Sequence, residues 1–279
     1  MPLADPGDRD LDAAGHTPGG APVEGMADGG VRPLIAVILA AGQSKRMQSD
    51  LVKVLHEVCG RPMVAWVIDA CRSVGARPTY LVIGHQAEKV QATFADADDL
   101  AFALQAERLG TGHAVQQVEP LLDPAFDGDV IVLAGDGPLI RAETLARLVA
   151  THRSDEADAT LATAIIEQPE GYGRIVRNAA GEFEGIVENK DATPEQLQIR
   201  EINPSYYCFR SRPLFDALAN VDNRNASGEY YITDVLGLLK RAGRRVSVIP
   251  AVPADEVLSI NTPEQLADVS EILTRRLTT

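Results

Sequence analysis

The fold class is decided by Leu34-Ile-Ala-Val-Ile-Leu-Ala40, a continuous apolar run that follows Pro33 and precedes Gly42. Such a run, without alternation of polar residues, is typical of a strand buried on both faces of a parallel sheet. Asp129-Val-Ile-Val-Leu133 repeats the pattern further along the chain. Strands of this kind need helices on both sides of their sheet, so the sequence predicts an α/β protein.

Strand and helix patterns alternate around these two runs. In the first half, strands are predicted at 34–40, 79–83, 101–104 and 129–133, and helices from Val64 to Cys71 and at 87–94, 112–122 and 141–153. This alternation implies right-handed crossovers and a doubly wound, mostly parallel sheet up to about residue 150. The second half is predicted to add strands at 159–166, 173–177, 182–188, 206–210 and 245–249, and helices at 213–219, 230–242 and 263–276. These later strands are expected to extend the sheet and to wall off one side of a ligand cleft.

Residues 1–32 differ in composition from the rest of the chain. They contain six acidic side chains, only two basic ones (Arg9 and Arg32), and no aromatic residue. Because so little apolar area is available to offset the entropy of ordering, the sequence predicts a disordered acidic tail here. The folded domain is expected to span 33–279, in two halves of 33–150 and 151–279.

The charge of the chain argues against several classes of partner. Among 279 residues, 40 are acidic and 26 basic, which gives a net charge of −14. Such a surface repels phosphate backbones and anionic lipids, so neither nucleic acid nor a membrane is expected as a partner. The three cysteines form no CxxC pair and the five histidines share no metal spacing. A cytoplasmic protein without a disulfide framework or zinc site is therefore expected, with structural roles for the histidines.

The end of the first strand has features of an anion site. The chain passes through Gly42 to Lys45 and Arg46, and Lys53 follows seven residues after Arg46. A glycine turn presents backbone N–H groups, and the basic side chains can counter the charge of a triphosphate. The stretch matches neither the dinucleotide fingerprint nor the P-loop. An ordinary strand-to-helix turn with solvated basic side chains is the alternative.

Asp136 is a candidate ligand for Mg²⁺. It comes directly after the strand 129–133, in Ala134-Gly-Asp-Gly-Pro-Leu139. Open α/β sheets bind ligands at the carboxyl ends of their strands. Mg²⁺ prefers oxygen ligands and usually takes only one or two from the protein when phosphates supply the others. The alternative is an aspartate that caps the next helix or a turn.

Gln105-Ala-Glu-Arg-Leu-Gly-Thr-Gly-His113 joins a predicted strand to a predicted helix. The carboxamide of Gln105 carries both a donor and an acceptor, as recognition of a nucleobase requires. The alternative is a plain glycine turn in which Thr111 caps the helix. No Gly-x-Ser-x-Gly motif occurs and no cysteine has an evident base, so chemistry through a covalent nucleophile is not supported.

A set of short motifs occurs in order between about residues 34 and 276. They are Leu39-Ala-Ala-Gly-Gln-Ser-Lys-Arg-Met47, Asp50-Leu-Val-Lys-Val-Leu55, Gly60-Arg-Pro-Met63, Gln105-Ala-Glu-Arg-Leu-Gly-Thr-Gly-His-Ala114, Gly135-Asp-Gly-Pro-Leu139, Gly171-Tyr-Gly-Arg-Ile175, Ile186-Val-Glu-Asn-Lys-Asp-Ala-Thr193, Glu201-Ile-Asn203 and Gly228-Glu-Tyr-Tyr-Ile-Thr-Asp234. The ordered set resembles the nucleotidyltransferase half of bacterial N-acetylglucosamine-1-phosphate uridylyltransferases. The resemblance implies the Rossmann-like fold of the nucleotide-diphospho-sugar transferases, with a C-terminal sugar-binding sub-region.

The resemblance also implies a reaction and its residues. UTP and N-acetylglucosamine 1-phosphate would yield UDP-N-acetylglucosamine and pyrophosphate, with Mg²⁺ as cofactor. Arg46 and Lys53 would be catalytic, and Asp136 and Asn261 would hold the metal, with Val257–Asn261 taken as a strand end. The nucleotide-binding half, 33–150, would use Leu39, Ala40, Ala41, Gly42, Gln105, Gly110 and Thr111. The sugar-binding half, 151–279, would use Gly173, Glu188, Asn203, Tyr231 and Thr233.

The chain departs from the family pattern in four respects. Ala134 stands where an aromatic residue is often found beside the predicted metal site. Val52 stands where a proline is usual before the lysine, and Pro204-Ser205 stands where Thr/Ser-Gly is usual. The acetyltransferase β-helix of the bifunctional enzymes is expected to be absent, so neither acetyl-CoA chemistry nor its trimer is expected, and the choice between monomer and dimer stays open. Two functional alternatives also stay open. One is a pyrophosphorylase for another sugar 1-phosphate or nucleotide, and the other is a non-catalytic regulatory module that binds sugar nucleotides.

Overall fold

A computed structural model describes residues 32–42 and 45–278, without the side chain of Lys45. The predicted acidic tail therefore lies outside the described residues, apart from its last member. That residue, Arg32, donates from Nε to Oδ1 of Asp129 at 2.8 Å. Gln43 and Ser44, in the middle of the predicted phosphate turn, also lie outside the described residues.

The strands of the described chain are β1 (Leu34–Leu39), β2 (Glu57–Val58), β3 (Arg61–Pro62), β4 (Thr79–Ile83), β5 (Leu100–Leu104), β6 (Asp129–Ala134), β7 (Ala159–Ile165), β8 (Gly173–Arg177), β9 (Phe183–Val187), β10 (Glu201–Arg210) and β11 (Val246–Pro250). The central sheet runs in the order β11-β7-β10-β6-β1-β4-β5, while β8 pairs with β10 and β9 pairs with β8. Neighbours along the main order are parallel except that β10 is antiparallel to both β6 and β7. The mostly parallel sheet is thus confirmed.

Helices cover both faces of the sheet, as a doubly wound fold requires. They are α1 (Met63–Ser73), α2 (Ala87–Thr93), α3 (Thr111–Gln116), α4 (Ala142–Ser154), α5 (Ser211–Leu218), α6 (Thr233–Arg241) and α7 (Pro263–Leu277). One hydrophobic core packs α1, α2, α4 and α7 on one face, and a second packs α3, α5 and α6 on the other. Strand β1 contributes side chains to both cores. Ala36 and Ile38 belong to the first core, and Ile35 and Val37 belong to the second. Burial on both faces explains the continuous apolar run of β1.

The described helices and strands differ from the predicted ones in a few places. The predicted strand 206–210 is the second half of β10, whose register shifts between Ile202 and Tyr206. The helix predicted at 112–122 ends at Gln116, and a short 3₁₀ helix follows at Glu119–Leu121. The helix predicted from residue 230 begins at Thr233. None of the described helices combines the length and the apolar composition that a membrane crossing requires.

The interpretation of Val257–Asn261 as a strand end is wrong. The segment follows a short 3₁₀ helix, Ala254–Glu256, and pairs with no strand within the described chain. Its apolar character comes from Val257 and Ile260, which are buried in the first hydrophobic core. A buried loop and a short strand give the same run of apolar residues, so the pattern alone did not separate them.

The strand order locates a crevice. The chain runs from β1 to β4 and β5 on one side and then returns to β6 on the other side of β1. The carboxyl ends of β1 and β6 are therefore the topological switch point, where open α/β sheets bind ligands. Ala40 follows β1 at this point and Asp136 follows β6.

Candidate active site

A cavity of about 700 Å³ opens at the carboxyl ends of β1 and β6. Most of the predicted site residues lie in its wall: Leu39, Ala40, Ala41, Gly42, Lys53, Gln105, Gly110, Thr111, Asp136, Gly173, Glu188, Asn203 and Thr233. Arg46 and Asn261 lie beside the cavity, in contact with each other. Tyr231 lines a neighbouring cavity, whose wall also contains Glu188 and Thr233. Residues predicted from distant parts of the sequence are thus brought together.

The basic end of the cavity is organised around Lys53. Its ammonium nitrogen Nζ donates to Oδ2 of Asp136 and, at 2.7 Å, to Oδ1 of Asn261. Nη2 of Arg46 donates to the same oxygen of Asn261 at 3.0 Å. The two residues predicted to bind metal therefore present side-chain oxygens to one positively charged atom. Asp136 does not cap the next helix, since α4 begins at Ala142 after Arg141 and has no side-chain cap.

Backbone and side-chain hydrogen bonds bring Asn261 to Asp136. The N–H of Ile260 donates to the carbonyl of Asp136 at 2.9 Å, which ties the loop before α7 to the end of β6. Nδ2 of Asn261 lies 3.1 Å from the Ser259 hydroxyl oxygen. Because the amide nitrogen is engaged there, Oδ1 is the atom that faces Lys53.

Gln105 lies in another part of the cavity wall, where a short loop packs against residues 230–232. The hydroxyl of Thr111 accepts from the N–H of Ile232 at 3.0 Å, so Thr111 joins the two segments and does not cap α3. Gly110 has φ +117°, and a Cβ there would come within 2.5 Å of the Tyr230 carbonyl oxygen. Glycine is therefore required at this close approach. Gln105 follows β5 and is only 4% exposed.

Glu188 is a half-buried carboxyl group elsewhere in the wall of the cavity. Its Oε1 accepts from the Thr233 hydroxyl at 3.0 Å. Burial raises its pKa, and the nearby Asp234, Asp191 and Glu229 raise it further, against the opposing hydrogen bond from Thr233. A carboxyl group held this way can accept hydrogen bonds from the hydroxyl groups of an uncharged ligand.

Gly173 and Asn203 line the same cavity. A Cβ at Gly173 would lie 3.0 Å from the Ile186 side chain, which is a tight contact, and would touch Oε2 of Glu188 at 3.5 Å. Nδ2 of Asn203 donates to the Tyr207 hydroxyl at 2.6 Å, and Oδ1 accepts from the N–H of Ser205 at 2.9 Å. These contacts form the irregular stretch of β10 that faces the cavity.

The wall also contains residues to which the sequence analysis gave no role, among them Arg108, Tyr172 and Glu256. Arg108 and Tyr172 lie inside quoted motifs, so their residue types were a usable signal. The Tyr172 hydroxyl donates to the Val257 carbonyl at 3.0 Å. Glu256 lies outside every motif, and burial raises its pKa while the Thr144 hydroxyl, at 2.8 Å, opposes the rise.

Within the described part of the chain, no group of three His, Cys, Asp or Glu residues is placed to hold a metal ion. A metal at this site would therefore depend on the Asp136 carboxylate, the Asn261 amide oxygen and oxygens of the substrate. That donor set suits Mg²⁺, which binds nucleotides through few protein ligands.

Comparisons with known proteins agree with the sequence motifs. The family of MobA-like NTP transferase domains matches residues 36–237. The chain is 47% identical over 242 residues to the bifunctional protein GlmU of Pelobacter propionicus, which covers 87% of this chain and 52% of that protein. It is 48% identical over 244 residues to the bifunctional protein GlmU of Syntrophotalea carbinolica, covering 88% and 52%. The chain thus spans about half the length of the curated relatives it matches. The resemblance stated from the motifs is confirmed.

Proposed function

This chain belongs to the family of MobA-like NTP transferase domains, and from that premise we propose that it transfers a uridylyl group from UTP to N-acetylglucosamine 1-phosphate. A phosphate oxygen of the sugar phosphate attacks the α-phosphorus of UTP in line. The new P–O bond forms as the bond from the α-phosphorus to the bridging oxygen breaks, and pyrophosphate leaves with the electron pair of that bond. The products are UDP-N-acetylglucosamine and pyrophosphate, and no protein nucleophile takes part.

One observation carries this proposal. Asp136 and Asn261 both direct a side-chain oxygen to the ammonium group of Lys53, at the carboxyl ends of β1 and β6. The two oxygens suit Mg²⁺ when phosphate oxygens complete its coordination. Bound there, Mg²⁺ would supply charge neutralisation for the phosphates of UTP. Asp136 and Asn261 are the residues that would hold it.

Arg46, Lys53 and Arg108 supply positive charge from the protein. Lys53 and Arg108 line the cavity, and Arg46 lies beside Lys53 through their shared contact with Asn261. Attack of one phosphate on another is opposed by charge repulsion, and departing pyrophosphate gathers negative charge. Fixed cations lower both costs, and positioning of the two substrates supplies the remaining catalysis.

The acceptor sugar is expected at the Glu188 end of the cavity. Glu188, Asn203 and Thr233 offer acceptors and donors but no positive charge, as an uncharged ring with hydroxyl and acetamido groups requires. Gly173 leaves room beside Glu188. This arrangement separates a cationic nucleotide end from a neutral or acidic sugar end.

The test is a pyrophosphate-release assay of the purified chain with Mg²⁺, over a panel of nucleoside triphosphates and sugar 1-phosphates. We expect UTP with N-acetylglucosamine 1-phosphate to exceed every other pair by about 100-fold in kcat/KM. A higher rate with another pair would replace our choice of substrates. No release with any pair, from a protein that still binds UDP-N-acetylglucosamine, would support a regulatory binding module.

A further inference from the structure

The amide nitrogen of Gln105 is held by two acceptors. Nε2 donates to the Gly110 carbonyl at 3.0 Å and lies 3.1 Å from Nδ1 of His113. A carboxamide carries two hydrogens on nitrogen and lone pairs only on oxygen. Both hydrogens are therefore used inside the protein. Among the described residues none donates to Oε1, so this oxygen is the group that Gln105 offers to the cavity.

His113 can accept a hydrogen bond from the Gln105 amide only if its Nδ1 carries a lone pair. Its other ring nitrogen lies 3.2 Å from the amide nitrogen of Gln117, which also donates to the His113 carbonyl at 3.0 Å. A neutral imidazole has one lone pair, so it accepts from one of the two amides. Gln105 is buried and Gln117 is half-buried. Because an unsatisfied donor costs more free energy when it is buried, the lone pair belongs on the side of Gln105.

Resting on the uridylyl transfer proposed above, we propose that His113 is a specificity-determining positioning residue. Its Nδ1 holds the Gln105 carboxamide with Oε1 toward the N3 position of the nucleobase, and the site thereby selects a base with an N–H donor at that position. Uracil has an N3–H donor there, whereas cytosine has a bare N3 acceptor. An acceptor oxygen pairs with the first and is left unpaired against the second. The spacing of the histidines predicted only structural roles, and this contact gives His113 a further one.

The test is calorimetric titration of the full chain with UTP and with CTP in the presence of Mg²⁺, without sugar phosphate. His113→Leu keeps a side chain of moderate size but removes the acceptor, and we expect the UTP-to-CTP affinity ratio to fall about tenfold. His113→Asn places an amide oxygen where Nδ1 was, so its ratio should stay within about twofold of wild type. Gln117→Leu, which removes the contacts to the other ring nitrogen and to the His113 carbonyl but leaves Nδ1 untouched, is the matched control and should leave the ratio unchanged.

An unchanged ratio in His113→Leu would overturn the proposal, and so would equal losses in the Leu and Asn variants, which would reduce His113 to a packing residue. Should His113→Leu not fold, His113→Ala is the second variant, with the same expected loss. Because binding is measured without turnover, the proposed uridylyl transfer and the proposed role of His113 can be contradicted independently of each other. A wild-type protein that prefers UTP but releases no pyrophosphate would contradict the reaction, and a loss of that preference in His113→Leu would still support the role of His113. A wild-type protein without preference for UTP would overturn that role.

Discussion

Asp136 and Asn261 meet at one atom, since the carboxylate of the first and the amide oxygen of the second both accept a hydrogen bond from Nζ of Lys53. The hydrogen bond from the N–H of Ile260 to the Asp136 carbonyl keeps the two segments together. A lysine ammonium and a metal ion compete for the same oxygens. We predict that Lys53 contacts the phosphates when nucleotide and metal are bound.

Asp136→Asn should lower metal-dependent turnover by at least about 100-fold, because the variant keeps the shape of the side chain but loses the charge that holds a divalent cation. The overall fold should survive, as Lys53 retains Asn261 as a partner. Pyrophosphate release and circular dichroism check the two expectations. Asp268→Asn, on the exposed surface of α7, is the matched control. Undiminished turnover in Asp136→Asn would remove the metal assignment.

Glu188→Gln should stabilise the protein at pH 7. Burial raises the pKa of Glu188, so the folded state binds this proton more tightly than the unfolded chain. The free energy of unfolding therefore decreases as pH rises from the ordinary carboxyl range through the folded pKa. Glutamine avoids this loss and keeps an oxygen for the Thr233 hydroxyl. Melting temperatures measured from pH 4 to pH 8 should show a gain at neutral pH that disappears near pH 4.

The same substitution should raise the KM for the sugar phosphate, because the carboxyl group is the proposed acceptor for sugar hydroxyls. Glu271→Gln, at an exposed position of α7, is the control and should change neither property. A gain in stability that persists at pH 4, or a destabilised variant at pH 7, would contradict the burial argument.

Val52→Pro should stabilise the protein by about 0.4–1 kcal/mol, because proline restricts the unfolded chain. Val52 has φ −54°, which proline adopts without strain, and its N–H donates to no described residue. The melting temperature should rise by about 1–4 °C. Turnover should stay at the wild-type rate, since the position of Lys53 is kept. A lower melting temperature would mean that the turn before Lys53 does not accept proline.

Ser205→Gly should relieve a backbone conformation that favours glycine. Ser205 has φ +66° in the irregular stretch of β10. A left-handed backbone conformation destabilises a residue with a Cβ by roughly 1 kcal/mol, and glycine avoids this cost. Part of the gain is offset because glycine gives the unfolded chain more conformational freedom. We expect a small gain in the free energy of unfolding by denaturant titration. Ser205→Ala keeps the Cβ and should show no gain, so an equal gain in both variants would assign the effect to the hydroxyl group.

The sheet was predictable because strands that are buried on both faces, such as β1 and β6, consist of continuous apolar runs. The first part of β10 was not, because Asn203, Pro204 and the register shift interrupt the apolar pattern. The hairpin of β2 and β3 has two residues per strand and leaves no periodicity to detect. Val257–Asn261 was wrongly interpreted as a strand end, since a loop that buries apolar residues has the same sequence pattern as a short strand.

Candidate site residues could be proposed from the sequence where a residue type suited to phosphate or metal chemistry lies beside a turn, as with Lys53 and Asp136, and their roles stay predictions. The contacts that orient these groups depend on chain segments far apart in the sequence. The bonds from Ile260 to Asp136 and from Tyr172 to Val257 have no local signature. The pairing of His113 with Gln105 lies within one motif, but the amide orientation follows only from the distances.

The most direct test of the central claim is a crystal structure of the protein with Mn²⁺ and a non-hydrolysable UTP analogue, analysed by anomalous scattering. We predict one manganese peak about 2.1 Å from side-chain oxygens of both Asp136 and Asn261, with Nζ of Lys53 moved to the phosphates. A peak that contacts neither residue, or a lysine that stays between the two oxygens while the analogue is bound, would contradict the account.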